Sequence, residues 1–207
     1  SPLIQNALNA IPNGSILIFG PGTYNCKQTI VIPEIMPDDP ESNLKRFTLQ
    51  GSAKMLTQMA STILKYNGPN PSTLTPFIDF RGSTSNKRAY VVIRDMKFVG
   101  IGKNSNIVGL WFNECTFSSF IGIVVSSFKY GIQIHGGYWC CRFIAVQCAY
   151  CQYGIKTSNY ANGTALYYCD FFECDIGFGH SLSTYWDAGI YFNSCYFQGV
   201  NTAIESS

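Results

Sequence analysis

Charge is scarce in this chain of 207 residues. Only 13% of the residues are Asp, Glu, Lys or Arg, the formal net charge is +2, and the basic residues form no run. This composition argues against a general nucleic-acid binder. The chain also lacks an apolar stretch long enough to cross a bilayer, and its first residues do not form a signal peptide. Because 46% of the residues are hydrophobic, disorder is disfavoured, and one elongated domain over residues 1–207 is expected.

Three repeat signatures are missing as well. The sequence has no heptads, no long amphipathic runs, and no dense Leu and Asn skeleton, which excludes helical and leucine-rich repeats. In their place are short runs of β-branched and aromatic residues, for example 91–93 and 121–125, which Gly, Asn and Ser separate. This chemistry is typical of strands and turns.

Two series recur along the second half of the chain. An apolar residue, two variable residues, Met or Cys, one variable residue and Phe appear at 93–98, 112–117, 138–143, 166–171 and 192–197. Gly109, Gly131, Gly154 and Gly177 recur at nearly equal steps, and Ala203 continues their series. A period near two dozen residues with strand chemistry predicts an all-β solenoid, a parallel β-helix with two or three short strands in each coil.

Strand alternation predicts which side chains of the six-residue motif face inward. The Met/Cys and Phe positions are expected to form two interior ladders: Met96, Cys115, Cys141, Cys169 and Cys195, and Phe98, Phe117, Phe143, Phe171 and Phe197. Buried free thiols behave as small apolar groups and favour assembly in a reducing cytoplasm over a disulfide framework. Cys148 and Cys151 have the spacing of a zinc pair, but a second pair and a nearby His are missing.

The beginning of the chain predicts a cap. Apolar residues at i, i+4 spacing indicate a short helix within residues 1–12, and the coils are expected over residues 15–207. Such a helix would cover the open end of the solenoid. The sequence stops where a further coil begins, so a longer chain, or coverage of this end by another subunit, is expected.

The N-terminal motifs resemble a known superfamily. Residues 4–10, followed by Leu-Ile-Phe-Gly-Pro-Gly-Thr-Tyr at 17–24 and by the strands at 47–52, 61–66 and 91–98, resemble the opening coils of pectin-lyase-like proteins. The resemblance is closest to phage tailspikes and polysaccharide depolymerases. It implies a single-stranded right-handed parallel β-helix, a polysaccharide ligand, a place on a virion surface or outside the cell, and a homotrimer.

The activity stays open between two classes, because fold does not determine function. The superfamily holds lyases, hydrolases and epimerases, and also non-enzymatic adhesins. One hypothesis is therefore a carbohydrate-recognising domain that degrades polysaccharide as a lyase or glycoside hydrolase. The alternative is a non-enzymatic structural or adhesive module that binds glycans or partner subunits.

Sugar cleavage needs paired carboxylates, or a base together with a group that neutralises the acid of the substrate. The residues between the two ladders should face outward, and side chains of adjacent coils should lie about 4.8 Å apart. Asp95 with Glu114, and Arg142 with Asp170, are the resulting candidate catalytic pairs. The candidate substrate-binding residues are Lys97, Trp139, Tyr168 and Tyr196. The alternative is that these charges form ordinary ion pairs on a solvated sheet face.

Further polar residues gather near predicted turns. Asp170, Glu173 and Asp175, with Asp187, form an acidic cluster suited to calcium or to acid–base work, but it lacks the register of a calcium loop. No cofactor is therefore expected, with calcium as the alternative. His135 and His180 are expected to form hydrogen bonds at turns.

Overall fold

The computed structural model shows a parallel β-helix built from short strands. It describes residues 2–12, 14–32, 47–52, 61–80, 88–89, 91–113, 115–135, 138–158, 161–181 and 188–206. The chain winds through three parallel sheets, and each turn of the solenoid, or coil, adds one strand to each seven-stranded sheet and one or two short strands to the ten-stranded sheet. The fold predicted from the repeat period and from the strand chemistry is therefore confirmed.

The strands are numbered in chain order and grouped by sheet. Sheet A contains β1 (Ile16–Ile18), β4 (Phe47–Gln50), β7 (Arg88–Ala89), β8 (Val91–Arg94), β11 (Cys115–Thr116), β12 (Ser119–Ile121), β15 (Tyr138–Trp139), β16 (Arg142–Ile144), β19 (Ala161–Tyr167) and β22 (Ala188–Asn193). Sheet B contains β2 (Gly22–Cys26), β5 (Thr62–Tyr66), β9 (Lys97–Val99), β13 (Val124–Ser126), β17 (Gln147–Ala149), β20 (Asp170–Phe172) and β23 (Tyr196–Gln198). Sheet C contains β3 (Ile30–Val31), β6 (Thr75–Asp79), β10 (Ile107–Phe112), β14 (Tyr130–Ile134), β18 (Tyr153–Ser158), β21 (Ile176–Ser181) and β24 (Thr202–Ser206).

The core is a set of columns, in which side chains at equivalent positions of successive coils stack along the axis. The inward column of sheet A is Leu17, Leu49, Ile93, Phe120, Phe143, Leu166 and Phe192. The inward column of sheet B is Tyr24, Leu64, Phe98, Val125, Cys148, Phe171 and Phe197. Parallel stacking lets aromatic rings pack face to face, as Phe120 and Phe143 do with centroids 4.7 Å apart.

Two copies of the predicted six-residue motif are out of register. The copies at 93–98, 166–171 and 192–197 do run from sheet A into sheet B in the predicted way. The equivalent segments of the two coils between them are 120–125 and 143–148. Phe143 is therefore buried in sheet A rather than in the expected Phe ladder, and Phe117 is 51% exposed at a turn.

The predicted interior Met/Cys ladder is wrong in the same two middle coils. Cys141 is buried, but it directly precedes β16 and so lies outside the column of Met96 and Cys169. The side chain of Cys115 lies outside the described residues. In the two middle coils, buried Ile123 and Val146 occupy the place that the sequence pattern gave to cysteine.

The glycine series is confirmed as a true column. Gly109, Gly131, Gly154 and Gly177 directly precede four residues that pair across sheet C, namely Leu110, Ile132, Ile155 and Phe178. A Cβ atom on Gly154 would lie 2.6 Å from the carbonyl oxygen of Gly177, which is far inside van der Waals contact. The absence of a side chain is thus what allows successive coils to approach at these positions.

Left-handed backbone marks the corners between sheets. At the corner from sheet A to sheet B, φ is 58° at Asp95, 59° at Gly122, 51° at Ala145, 54° at Tyr168 and 53° at Ser194. The strands on either side of this corner are separated by two residues in each of these coils, as in 145–146. A single left-handed residue turns the chain sharply, and its side chain is left at the outer edge of the solenoid.

The short N-terminal helix α1 (Pro2–Ala10) lies against the first coil, and the expectation of such a helix is confirmed. Ile4 and Leu8, one turn apart, are buried in the core. Gln5 donates to the carbonyl oxygen of Val31 at 2.7 Å and accepts from its N–H at 2.9 Å. Its amide thus satisfies backbone groups of β3 as a neighbouring strand would, which covers an edge that would otherwise be open.

Candidate functional site

A groove runs along the outer face of sheet B, parallel to the solenoid axis. Its volume is about 560 Å³. The lining residues come from β9, β13, β17, β20 and β23 and from the corner that follows them: Lys97, Val124, Ser126, Ser127, Gln147, Ala149, Tyr150, Asp170, Phe172, Tyr196 and Gln198. We call this the sheet B groove.

Two outward columns form the floor of the groove. The first is Lys97, Val124, Gln147, Asp170 and Tyr196, which the strand register brings side by side. Adjacent coils in a parallel sheet lie about 4.8 Å apart, so the column from Lys97 to Tyr196 spans about 19 Å. The second column contains Ser126, Ala149, Phe172 and Gln198. The floor thus presents a long, mostly uncharged surface with amide and hydroxyl groups.

Asp170 is held by its neighbour in the preceding coil. The Nε2 atom of Gln147 donates a hydrogen bond to the Oδ2 atom of Asp170 at 2.7 Å. The Oδ1 atom is buried and accepts no hydrogen bond from the described residues. A buried carboxylate oxygen without a donor is costly, so it favours a donor that binds at this point of the groove.

Aromatic side chains border the same end. Tyr150 packs edge-to-face on Phe172, with ring centroids 5.4 Å apart, and is itself 52% exposed. Tyr196 is 63% exposed at the far end of the first column. These rings offer apolar faces next to hydrogen-bonding groups, which is the combination that oriented binding of small polar molecules needs.

The structure brings three of the predicted site residues together. Lys97, Asp170 and Tyr196 share one column of the groove, as the outward positions of the motif predicted. Their roles stay predictions. Tyr168, which is 67% exposed, stands at the corner between β19 and β20, two residues from Asp170.

The predicted pair of Arg142 and Asp170 is wrong. Arg142 lies in β16 of sheet A, where its neighbours in adjacent coils are Ser119 and Ala165, while Asp170 lies in β20 of sheet B. The error follows from the misplaced motif copy at 138–143, which put Arg142 in the column that Gln147 occupies.

The structure does not test the predicted pair of Asp95 and Glu114. Glu114 lies outside the described residues, and Asp95 forms an ion pair with Arg94 at 2.8 Å. Trp139 belongs to β15 of sheet A, and its side chain also lies outside the described part of the chain. Asp95 does not line the sheet B groove.

Sequence reasoning missed eight groove residues: Val124, Ser126, Ser127, Gln147, Ala149, Tyr150, Phe172 and Gln198. The first six were missed because the motif pattern misplaced their two coils. Phe172 and Gln198 directly follow correctly placed motif copies. Strand alternation from Asp170 through Phe172 would have placed this second column on the same face. Strand alternation therefore identifies the second column, but only in coils whose register is placed correctly.

One member of the acidic cluster near the turn, Asp175, forms an ion pair. The Nζ atom of Lys103 lies 2.6 Å from the Oδ1 atom of Asp175, and this hydrogen bond raises the pKa of the lysine. Among the residues that the structure describes, no group of three or more His, Cys, Asp or Glu side chains is placed to hold a metal ion. Asp187 lies outside the described residues.

Only one of the two histidines differs from its predicted surroundings. His180 lies in β21 rather than at a turn, and it is buried with its Nδ1 atom 2.8 Å from the hydroxyl of Thr157. His135 follows β14, and its Nδ1 atom lies 3.0 Å from the hydroxyl of Ser158. Each is hydrogen-bonded to an adjacent coil, and neither lines the groove.

The buried thiols give a test of the register. Burial raises the pKa of Cys148 and Cys151 well above the usual 9.0, and raises that of Cys169 to about 12. Only the thiolate reacts, so at neutral pH these three should be inert in the native protein. We expect a thiol reagent to modify exposed Cys140 first and half-buried Cys195 more slowly.

Peptide mass spectrometry after brief labelling checks this expectation, with the urea-unfolded protein as the control for full reactivity. Native labelling of Cys148, Cys151 or Cys169 at the rate of Cys140 would contradict the described core. The sign of the shift also predicts a pH effect. Unfolded thiols ionise first, so the stability linked to Cys169 is complete below its ordinary pKa of 9.0 and is lost as the pH rises toward about 12.

Within the described residues, no helix is long and apolar enough to cross a membrane.

Comparison with known proteins identifies a structural neighbour. No protein-family model matches the chain, and no curated protein matches it. A solved structure, ORF18 of Geobacillus virus E2, is similar with a TM-score of 0.47 and 15% sequence identity. The similarity covers 97% of this chain and 58% of the virus protein, so this chain spans less than two thirds of that protein's length.

Proposed function

We propose that this protein is a carbohydrate-recognising β-helix module of the tailspike type, and that the sheet B groove binds an extended polysaccharide. The observation that carries the proposal is the column from Lys97 to Tyr196, about 19 Å long, which is polar at every position except Val124 and is bordered by aromatic rings. A linear ligand that runs along the solenoid axis meets equivalent positions of five successive coils. A surface glycan of a cell, met by a virion or extracellular protein, has this form.

The chemistry of the groove favours recognition over hydrolysis. Glycoside hydrolysis uses two carboxyl groups placed about 5–10 Å apart on either side of the scissile bond. Among the described lining residues, Asp170 is the single carboxylate. Gln147 holds the carboxylate of Asp170 in place as an acceptor for sugar hydroxyls. Because the Oδ1 atom has no donor, a hydrogen bond from a sugar hydroxyl to this atom would be especially favourable. Degradation as a lyase or hydrolase is the second candidate, with Asp170 as the acid–base group.

A polysaccharide panel tests the function. Purified protein is incubated with neutral and acidic polysaccharides, and binding is measured beside the release of reducing ends and of unsaturated sugar. We expect binding without cleavage. Tyr196→Ala should weaken binding about tenfold or more, because it removes an exposed ring at the end of the column, and tenfold corresponds to about 1.4 kcal/mol. Asp170→Asn should also weaken binding.

The matched control is Tyr191→Ala. Tyr191 lies on sheet A and is 62% exposed, against 63% for Tyr196, so the two substitutions remove the same group with the same accessibility. Equal binding losses in both variants would contradict the assignment of the groove. Cleavage that Asp170→Asn abolishes would favour the enzymatic candidate, and no binding across a broad panel would refute both.

A further inference from the structure

The outer face of sheet B changes its charge along the solenoid axis. Its second and third coils carry Lys65 and Lys97, and its sixth coil carries Asp170. The positions between them in the first column are Val124 and Gln147, which are uncharged. Lys97 lines the groove and Lys65 lies beyond its lining residues, so the groove has a basic end and an aromatic, acidic end that can distinguish the parts of a ligand.

The two lysines are close enough to act on one anionic group. Lys65 pairs with Val99 in the next coil, and Lys97 lies two residues before Val99 on the same face. One coil step of about 4.8 Å and two residues of about 3.3 Å each place their Cα atoms roughly 8 Å apart. The long, flexible stems let both ammonium groups reach a point between them.

Both lysines are available to a ligand. Neither Lys65 nor Lys97 forms an ion pair with any residue that the structure describes. The acidic side chain nearest in sequence to Lys97 is Asp95, whose carboxylate is engaged by Arg94 at 2.8 Å. Lys103, by contrast, is neutralised by Asp175. Two neighbouring like charges without counter-ions repel each other, and an anion between them relieves that repulsion.

We propose that the ligand of the groove is an acidic polysaccharide, whose anionic group binds Lys65 and Lys97 while its sugar rings extend toward Asp170 and Tyr196. The inference rests on the proposed function and adds to it the ligand's charge and its single direction of binding. The anionic group is a carboxylate, a sulfate ester or a phosphate ester, since each accepts hydrogen bonds from ammonium groups.

Chemically matched ligands test the charge. Binding is measured for a uronic-acid polysaccharide and its carboxyl-reduced form, a sulfated polysaccharide and its desulfated form, and a phosphate-bearing glycan and its dephosphorylated form. We expect an acidic member to bind at least tenfold more tightly than its neutralised counterpart, and the advantage to shrink as salt is added. The member with the largest difference identifies the anion.

Charge-removing variants locate the effect. Lys65→Gln with Lys97→Gln should lower affinity for the acidic glycan about tenfold and leave affinity for the neutralised glycan unchanged. Each single variant, Lys65→Gln or Lys97→Gln, is compared with Arg142→Gln, which also removes one positive charge, an exposed one on sheet A, and should leave both affinities unchanged. Misfolding would lower the affinity for both glycans, so it does not explain a loss for the acidic glycan alone.

Three outcomes would overturn the inference. Equal binding of the acidic and neutralised forms would refute the charge requirement while glycan recognition stands. An equal loss in the Arg142→Gln variant would show that net charge, and not the lysine pair, is responsible. Binding of poly-glutamate as tight as that of the acidic glycan would show that the site recognises charge alone. Failure of every polysaccharide to bind would instead refute the proposed function itself.

Discussion

Phe143→Ala is expected to lower the free energy of unfolding by about 3–5 kcal/mol. Phe143 is fully buried, stacks on Phe120 at 4.7 Å with nearly parallel planes, and pairs with Leu166 in the following coil. Removal of the ring leaves a cavity between two rigid coils that cannot close over it, because each backbone is fixed by the sheets on either side. Urea unfolding followed by circular dichroism measures the change.

Phe117→Ala is the matched control. In the sequence motif Phe117 and Phe143 occupy the same position, but Phe117 is 51% exposed with a left-handed backbone. Its replacement should cost at most about 1 kcal/mol. Losses of similar size in both variants would mean that the two residues have equivalent environments, and the register of the middle coils would then be wrong.

Gly154→Ala is expected to destabilise the protein by about 2–3 kcal/mol, a large effect for one added methyl group. The new Cβ atom would lie 2.6 Å from the carbonyl oxygen of Gly177 and 2.7 Å from the ring of Phe171. The oxygen belongs to the backbone of the next coil and cannot move without a disturbance of sheet C. The midpoint of urea unfolding should fall, with little change in its slope.

Gly20→Ala provides the comparison. A Cβ atom on Gly20 would meet a single neighbour within 4 Å, the hydroxyl of Tyr24 at 3.7 Å. At an unstrained position, alanine in place of glycine lowers the entropy of the unfolded chain, so this variant should be unchanged or slightly more stable. A tolerated Gly154→Ala would be inconsistent with the close approach of coils at the glycine column.

The architecture was predictable because one series was unambiguous. At Gly109, Gly131, Gly154 and Gly177 a Cβ atom would lie within 2.8 Å of a carbonyl oxygen in the next coil, so the backbone approach requires glycine at these four positions. Their nearly equal steps along the sequence therefore report the true length of each coil. The N-terminal helix was predictable for a similar reason, since its i, i+4 apolar spacing has no strand interpretation.

The register of the six-residue motif was not predictable from residue type alone. A buried position in sheet B accepts Phe98, Val125 or Cys148, because only apolar volume is required there. Phe117 lies at an exposed corner, but the apolar and Cys positions of the motif precede it, so its sequence context is the same as that of a core Phe. In the sheet A column the step from Ile93 to Phe120 is longer than the step from Phe120 to Phe143, so no fixed period locates all three positions.

The candidate site was predictable where the register held. Lys97, Asp170 and Tyr196 belong to motif copies that were placed correctly, and the strand pairing puts them in one column. Gln147, which holds Asp170, belongs to a coil that was placed wrongly. Pairing between coils is set by backbone hydrogen bonds, and those are not encoded in the identity of an outward side chain.

The two-residue corner between sheets A and B makes the sheet B groove modular. Because that corner has the same length in every coil from β8 onward, each coil delivers its outward residues to the groove at the same angle and height. Differences in coil length are absorbed elsewhere, as between β9 and β10, where seven residues stand in place of the three between β13 and β14. Duplication of one whole coil would therefore lengthen the sheet B groove by one coil step. The length of ligand that the groove binds can thus change in fixed increments while the existing contacts stay in place.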